Sequence, residues 1–269
     1  MQNTFQIPQI VNEDGWVNVE DLSDNVILYR KIGAEEALYT DQAMSGTKVV
    51  AVTDVKGGVK KTTTSVHLAL GIHRFTKGTV MIGDCDQYHS VQAWYSEARD
   101  GDEAKGKKPD PWPEEVTVVT AFGDNFHHEI IEAVQEQRPD YLILDTPPND
   151  EEAALRALLL SDIMLTPTGP FSLDLGRLVY GLRVANKAAK LRGRDIEPVA
   201  LFTGCKMGTN LYREARKELE EKGMGFVNMP VRDLLKHASA AGTSVPNLHD
   251  YAFLPNEIVP ILKRIKEEG

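Results

Sequence analysis

The chain has 269 residues, which is enough for one large α/β domain or two small ones. Its composition is 42% hydrophobic and 26% charged, and no apolar run approaches the ~20 residues that a membrane span needs. Two cysteines, Cys85 and Cys205, exclude a disulfide framework and a cysteine zinc site, and without a signal-peptide pattern we expect a cytoplasmic location. The net charge of −10 opposes nucleic-acid binding overall, but the charge is unevenly distributed.

Residues 1–46 are expected to form an acidic N-terminal extension outside a main domain at 47–269. The extension has eight acidic residues against Arg30 and Lys31. Its short apolar stretches favour an arm that packs on the main domain or on a dimer partner.

Residues 48–65, KVVAVTDVKGGVKKTTTS, predict a phosphate-binding loop between a strand and a helix. An apolar strand pattern leads into two glycines between lysines, and a helical pattern follows. In such a loop, backbone N–H groups and a helix N-terminus face the phosphates, so Lys61 would reach the outer phosphates and Thr62 would bind Mg²⁺. The match to G-x-x-x-x-G-K-[ST] is imperfect, because Val55 and Lys60 occupy the glycine positions. The alternative is an ordinary exposed turn.

Two further apolar strands end in acids. The first, over residues 79–83, leads into Asp84-Cys85-Asp86, and the second, over residues 141–144, ends at Asp145 before Thr-Pro-Pro. A carboxylate at the carboxyl edge of a parallel strand suits the positioning of a water or a metal beside phosphates, whereas the alternative for the paired aspartates is a helix N-cap. Between the two acidic strand ends we expect an exposed connection at 97–115, a strand at 116–120 and a helix at 126–137.

The second half of the chain continues the alternation of strands and helices. A strand ends near Pro167, another spans 199–203, and helices are expected at 211–222 and 256–268. The resulting β-α-β-α order predicts an α/β fold, a doubly wound and mostly parallel sheet with helices on both faces and with its ligand at the carboxyl edge.

The stretch 175–194 is basic, with six cations and no acid. It is interpreted either as a local DNA-binding face or as an ordinary solvated helix face. The cations are Arg177, Arg183, Lys187, Lys190, Arg192 and Arg194.

The loop sequence Lys56-Gly57-Gly58-Val59-Lys60-Lys61-Thr62-Thr63 resembles the deviant Walker A motif K-G-G-x-G-K-T-T of the ParA/MinD (SIMIBI) P-loop ATPases. Three weaker motifs of that family follow in order over roughly residues 48–268. They are Asp84-Cys85-Asp86 with Ser90 and Trp94 at a plasmid-type spacing, Asp145-Thr146-Pro147-Pro148, and Met229-Pro230-Val231-Arg232.

The resemblance implies ATP/ADP and Mg²⁺ as cofactors and assigns a role to each matching residue. Lys56 would reach the partner's phosphates across an ATP-sandwiched homodimer, and Asp86 would position the attacking water. The implied catalytic residues are Lys56, Lys61 and Asp86, and the metal residues are Thr62, Asp145 and Asp84. The implied nucleotide contacts are Gly57, Gly58, Val59, Lys60, Lys61, Thr62, Thr63, Pro230 and Arg232, and the DNA contacts are Arg183, Lys187, Lys190, Arg192 and Arg194.

The implied function is an ATP-dependent dimer that binds DNA non-specifically and partitions plasmids or chromosomes with a cargo-bound, ParB-like adaptor. The expected place is then the nucleoid. One alternative is a related ATPase that positions a protein assembly. Another is a nucleotide-binding scaffold with little turnover, because the side chain of Lys60 adds bulk and forces a strained backbone angle where the motif has glycine.

Two further classes fit the sequence less well. A MinD-like membrane switch needs a basic amphipathic C-terminal helix, but Pro260 interrupts this one and the sequence ends Glu267-Glu268-Gly269. No membrane partner is therefore expected. An iron-protein-type reductase needs two cluster cysteines per subunit, and Cys85 and Cys205 follow different strands.

Overall fold

The structure is a computed structural model that describes residues 16–19, 27–30, 43–54, 58–103, 106–232 and 235–268. Within these residues no helix combines the length and the apolar character required to cross a bilayer. Of the predicted N-terminal extension, the described part contains a short antiparallel pair, β1 (Trp16–Val19) and β2 (Ile27–Arg30).

The main sheet has seven strands, and every paired neighbour runs parallel. The strand order is β5-β4-β6-β3-β7-β8-β9, so the order reverses around the central strand β3. The strands are β3 (Lys48–Val52), β4 (Val80–Asp84), β5 (Val116–Thr120), β6 (Tyr141–Asp145), β7 (Ile163–Thr168), β8 (Glu197–Phe202) and β9 (Gly225–Phe226). The predicted doubly wound α/β fold is confirmed.

Helices connect the parallel strands, as this topology requires. Among the described residues they are α1 (Lys61–Thr76), α2 (Ser90–Asp100), α3 (Phe126–Gln137), α4 (Glu151–Leu160), α5 (Ser172–Arg192), α6 (Asn210–Glu221), α7 (Leu235–Ser239) and α8 (Leu254–Glu268). Two 3₁₀ turns, Gly123–Asn125 and His249–Phe253, precede α3 and α8.

The sheet has an apolar core on each face, because successive side chains of a strand point to opposite sides. In β3, Val49 and Ala51 belong to one core, and Val50 and Val52 belong to the other. Helices α1, α2 and α8 pack on the second face, and α3 to α6 pack on the first. Helices therefore cover both faces and leave the carboxyl edge of the strands for a ligand.

The expectation of an exposed connection over 97–115 is correct only in part, because about half of the described residues in this range are exposed. Helix α2 continues to Asp100, and the following loop is tied to the C-terminal half of the chain. The Asp110 carboxylate accepts hydrogen bonds from the Ser244 backbone N–H (2.7 Å) and hydroxyl (2.6 Å). The ring of Trp112 packs edge-on against Tyr95, so the loop has polar and apolar anchors that its Pro- and Gly-rich sequence does not indicate.

Candidate nucleotide site

The predicted phosphate-binding loop lies at the carboxyl edge of β3, where α1 begins. Residues 55–57 lie outside the described residues, so the roles expected of Lys56 and Gly57 stay predictions. Gly58 has φ +81°, a backbone conformation that favours glycine. Val59 is partly buried beside it.

Lys60 immediately precedes α1 and adopts a left-handed conformation, with φ 69° and ψ 33°. Its carbonyl accepts the Thr64 N–H at 2.8 Å, which makes Lys60 the N-cap of the helix. A residue with a Cβ pays about 1–2 kcal/mol in this conformation. The strained angle that the sequence predicts for this position is therefore present.

Lys61 is buried at the start of α1, with 7% of its surface exposed. Its Nζ lies 3.5 Å from the Asp54 carbonyl oxygen. Burial lowers the pKa of this ammonium group, while Asp145, Asp54 and Asp86 oppose the shift. A buried ammonium group at a helix N-terminus favours an anionic ligand such as a phosphate group.

Asp145 ends β6 and is only 1% exposed. Its Oδ2 accepts a hydrogen bond from the Thr62 hydroxyl at 2.7 Å, and its Oδ1 accepts one from Ser65, also at 2.7 Å. Burial raises the pKa of Asp145 to about 7, against the effect of the two hydroxyl groups. A hydroxyl and a carboxylate oxygen at hydrogen-bond distance form a hard-oxygen donor pair that fits Mg²⁺.

Ser65 is a site residue that the sequence analysis missed. Its hydroxyl also lies 3.1 Å from the Lys61 carbonyl, one helical turn earlier. The spacing between Lys61 and Ser65 could have indicated that both side chains lie on the same face of α1.

Asp84 is the last residue of β4 and pairs with Asp145 in the sheet register, and Asp86 lies two residues further on. Asp84 is fully buried, and its carboxylate accepts the backbone N–H groups of Val91 (3.0 Å) and Gln92 (2.9 Å) at the start of α2. Burial raises the pKa of Asp84, and these hydrogen bonds oppose the shift. Asp84 therefore satisfies two N–H groups in the first turn of α2 from the end of β4, although the N-cap residue of that helix is His89, and its role beside a metal stays a prediction.

The carboxylate of Asp86 is nine-tenths buried and accepts the Tyr88 backbone N–H at 3.0 Å. Asp86 is also one of the carboxylates that raise the pKa of Lys61. Asp86 is thus close enough to Lys61 for the two charges to interact, and its water-positioning role stays a prediction.

The remaining predicted nucleotide contacts lie on two elements. Thr63 accepts the ring N–H of His67 through its carbonyl oxygen at 2.7 Å, an intrahelical contact on α1. Pro230 is buried, and Arg232 is exposed and binds the Asp250 carboxylate through Nε (2.9 Å) and Nη2 (2.6 Å). These hydrogen bonds hold the 229–232 loop in place, and base contact by Pro230 and Arg232 stays a prediction.

The predicted DNA-contact residues do not share one exposed face of α5. Arg183 and Lys190 are exposed, whereas the Lys187 side chain is largely buried near Glu151, at 3.9 Å. Arg192 and Arg194 turn toward the buried carboxylate of Asp162. Pairing with Asp162 buries most of the Arg192 side chain but leaves that of Arg194 38% exposed, and DNA contact by these residues stays a prediction.

Comparison with known proteins identifies the family. The sequence model of the ATPase MipZ family matches residues 48–194, which is over half of the chain. The "Maintenance of carboxysome distribution protein A" of Gloeobacter kilaueensis is 32% identical over 202 residues, which cover 72% of this chain and 81% of that protein. This chain is a member of the ParA/MinD family of P-loop ATPases.

Two solved structures with a bound nucleotide share the fold of this chain. A putative plasmid partition protein of Borrelia burgdorferi bound to AMPPNP has a TM-score of 0.59 and 16% identity, over 81% of this chain and 99% of that one. A cobyrinic acid a,c-diamide synthase of Mycobacterium smegmatis with bound ADP and magnesium also has a TM-score of 0.59 and 16% identity, over 81% and 96%. The cofactors predicted for this ParA/MinD family member agree with the molecules bound in these two proteins.

Proposed function

We propose that this protein is an ATP-driven switch that positions a cargo in the cell. ATP and Mg²⁺ bind at the carboxyl edge of the sheet, and ATP holds two copies of the chain together. The dimer binds DNA non-specifically, and an adaptor protein on the cargo stimulates hydrolysis and release. The proposal rests mainly on the proximity of three side chains. The Thr62 hydroxyl donates to Asp145, and the Asp145 carboxylate lies close enough to Lys61 to affect its pKa.

Each residue of the site has a definite task in this proposal. Lys61 and the N-terminal N–H groups of α1 hold the phosphates, and Thr62 and Asp145 hold the metal ion. Mg²⁺, when bound, neutralises charge that develops on the phosphate oxygens. Asp86 orients the attacking water, because its carboxylate lies just beyond the end of β4 and close enough to Lys61 to affect its pKa.

The cargo in the proposal is either a DNA molecule or a protein assembly. The spacing of Ser90 and Trp94 favours plasmid or chromosome partition. The carboxysome-distribution relative, which matches over 81% of its own length, favours a protein assembly instead. Both cargoes use the same nucleotide switch, so the first experiment tests the switch itself.

The test compares Asp86→Ala with Asp145→Ala in ATP binding, dimerisation and phosphate release. Asp86→Ala should bind ATP and dimerise but lose at least about 100-fold in turnover, because general-base and water-positioning groups typically contribute that much. Asp145→Ala should lose magnesium-dependent ATP binding, because a metal ligand is missing. The reverse pattern would mean that the two roles are exchanged, and a parent chain that neither binds nor hydrolyses ATP would overturn the proposal.

The role of the signature lysine is tested separately. In the proposal Lys56 bridges to the partner's phosphates, an assignment that rests on the motif alone. Lys56→Ala with ATP and Mg²⁺ should remain monomeric in ultracentrifugation, with ATP binding largely retained. A variant that dimerises and hydrolyses ATP normally would remove this assignment.

A further inference from the structure

A cluster of cations lies at the amino ends of β3 and β7, opposite to the nucleotide site. Its centre is Asp162, which is fully buried and accepts the Val49 backbone N–H through Oδ2 at 2.9 Å. The other carboxylate oxygen, Oδ1, faces three cations. Arg194 donates to it through Nη2, Lys266 Nζ lies at 3.3 Å, and Arg192 Nη2 lies at 3.9 Å.

These cations line a cavity of about 310 Å³ that is walled by residues 44–46, β3, the end of α4 and α8. Its charged lining residues are Lys48, Arg192, Arg194 and Lys266, and none of the described residues that line it is acidic. The lining carries four positive charges, and the buried carboxylate of Asp162 next to it supplies one negative charge. The cavity therefore has an excess of positive charge, and its volume lies at the lower end of the range of small-molecule sites.

Hydrogen-bond capacity differs among these cations. Arg192 binds the end of α4, because its Nη1 donates hydrogen bonds to the carbonyl oxygens of Leu158 and Ser161. Arg194 differs from Arg192, since its Nε is buried and has no hydrogen-bond partner among the described residues. A buried N–H without an acceptor is unfavourable, and an oxygen ligand that accepted this hydrogen bond would remove the cost.

The lysines add charge to the same cavity. The Lys266 side chain is 22% exposed, and burial is the largest cause that lowers its pKa, with Arg194 and Arg192 acting in the same direction against Asp162. Lys48 lies with Nζ 5.2 Å from the ring centre of Tyr141, at the first position of β3. A bound anion would relieve the repulsion between these cations.

We propose that this cavity binds a compact phosphate-type oxyanion through Arg194, Lys266 and Lys48. An arginine fork pairs with two oxygens of such an anion, and lysines supply point charges around the rest. The site is separate from the nucleotide site, since it lies at the amino ends of the strands and shares no residue with it. The ligand is a free anion, and the phosphodiester backbone of DNA is the competing source of the same chemistry.

The experiment measures the binding of inorganic phosphate and of pyrophosphate to the full chain by calorimetry and thermal shift. Saturating ADP and Mg²⁺ occupy the nucleotide site, and sodium chloride keeps the ionic strength constant. We expect saturable binding to the parent chain and at least tenfold weaker binding to Arg194→Gln and to Lys266→Gln. Arg194→Lys should be intermediate, because it retains the charge but loses the fork.

Lys217→Gln is the matched control, since it removes one exposed positive charge on α6, far from the cavity in sequence, and should bind phosphate as the parent does. Circular dichroism of each variant identifies loss of folding, and Arg194→Lys remains informative if the glutamine variants unfold. Equal phosphate affinity in the parent chain and in folded Arg194→Gln would overturn the proposal, as would the absence of saturable binding. Displacement of the phosphate by duplex DNA would overturn the free-anion assignment and make the cavity part of a DNA contact.

Discussion

Lys60 combines a large side chain with a backbone conformation that favours glycine. Its φ of 69° places it in the left-handed region directly before Lys61. The residue also lies near the buried ring of His237, whose pKa is lowered by burial and further by the Lys60 charge, against Asp250. The substitution of the family's glycine therefore affects both backbone strain and local charge.

Lys60→Gly should stabilise the protein by about 1 kcal/mol, because the left-handed strain disappears. It should also bind ATP more tightly and hydrolyse it faster, since no Cβ would crowd the phosphates. Thermal unfolding, calorimetry with ATP and phosphate release on both proteins measure these effects.

Lys77→Gly is the matched control for Lys60→Gly. Lys77 is left-handed as well, with φ 61°, but it ends α1 instead of beginning it. It should gain similar stability without any change in ATP binding. If Lys60→Gly and the parent chain bind and hydrolyse ATP alike, the side chain points away from the phosphates and the steric argument is wrong.

The contact between α1 and the C-terminal segment depends on a buried aromatic cluster around His67. The His67 ring lies 4.4 Å from that of Tyr251 and 6.0 Å from those of Trp94 and His237, measured between ring centres. Its Nδ1 donates to the Thr63 carbonyl at 2.7 Å, so Nε2 carries no proton in the neutral ring. Since Nε2 is buried and has no hydrogen-bond partner among the described residues, protonation would bury an unsatisfied N–H and a charge.

Stability should therefore fall between about pH 6.5 and pH 4. Burial lowers the pKa of His67 to about 4, and nearby His237, Arg74 and His249 add to this effect. Because the folded state resists protonation while the unfolded state binds the proton near pH 6.5, the stabilisation is present above that pH and is lost as the pH falls toward 4. Protonation of His67 should lower the free energy of unfolding by roughly 3 kcal/mol at most.

Denaturant unfolding of His67→Phe at several pH values measures this contribution. Between pH 6.5 and 4, the free energy of unfolding of this variant should depend less steeply on pH than that of the parent chain. Part of the dependence should remain, because the pKa of His237 is also lowered. His128→Gln is the control, since the His128 side chain is 81% exposed, and its slope should match that of the parent chain. An unchanged slope in folded His67→Phe would contradict the assignment.

Elements whose signal is local were predicted well from the sequence. The strand at 116–120 and the helix at 126–137 have the predicted bounds, and the strand ending at Asp145 lies beside the phosphate loop. Contacts between distant residues were not predictable, because neither periodicity nor a motif marks them. Trp94 shows this limit, since the sequence assigned it only a family spacing, whereas its indole N–H donates to the Thr243 carbonyl across 149 positions.

The whole molecule is acidic, so any DNA contact requires a local concentration of exposed cations. On α5 the exposed candidates are Arg183 and Lys190. The same helix contacts α4 through Glu151, which accepts a hydrogen bond from Tyr180 and lies 3.9 Å from Lys187. Because α4 follows the loop after Asp145, the nucleotide site and the proposed DNA helix are linked by adjoining elements.

The double variant Arg183→Gln/Lys190→Gln should weaken ATP-dependent DNA binding equally for unrelated DNA sequences. Phosphate contacts carry no sequence information, and each one lost should reduce the slope of log affinity against log salt by about 0.9. Fluorescence anisotropy with two duplexes of different sequence, at several salt concentrations and with and without ATP and Mg²⁺, measures both quantities.

The control is the double variant Lys217→Gln/Lys222→Gln, on α6 and at its C-cap. It removes the same charge from another surface and should leave the salt slope near that of the parent. If the α5 variant keeps the parent's affinity and slope, Arg183 and Lys190 belong to an ordinary solvated helix face, and DNA must bind elsewhere on the dimer.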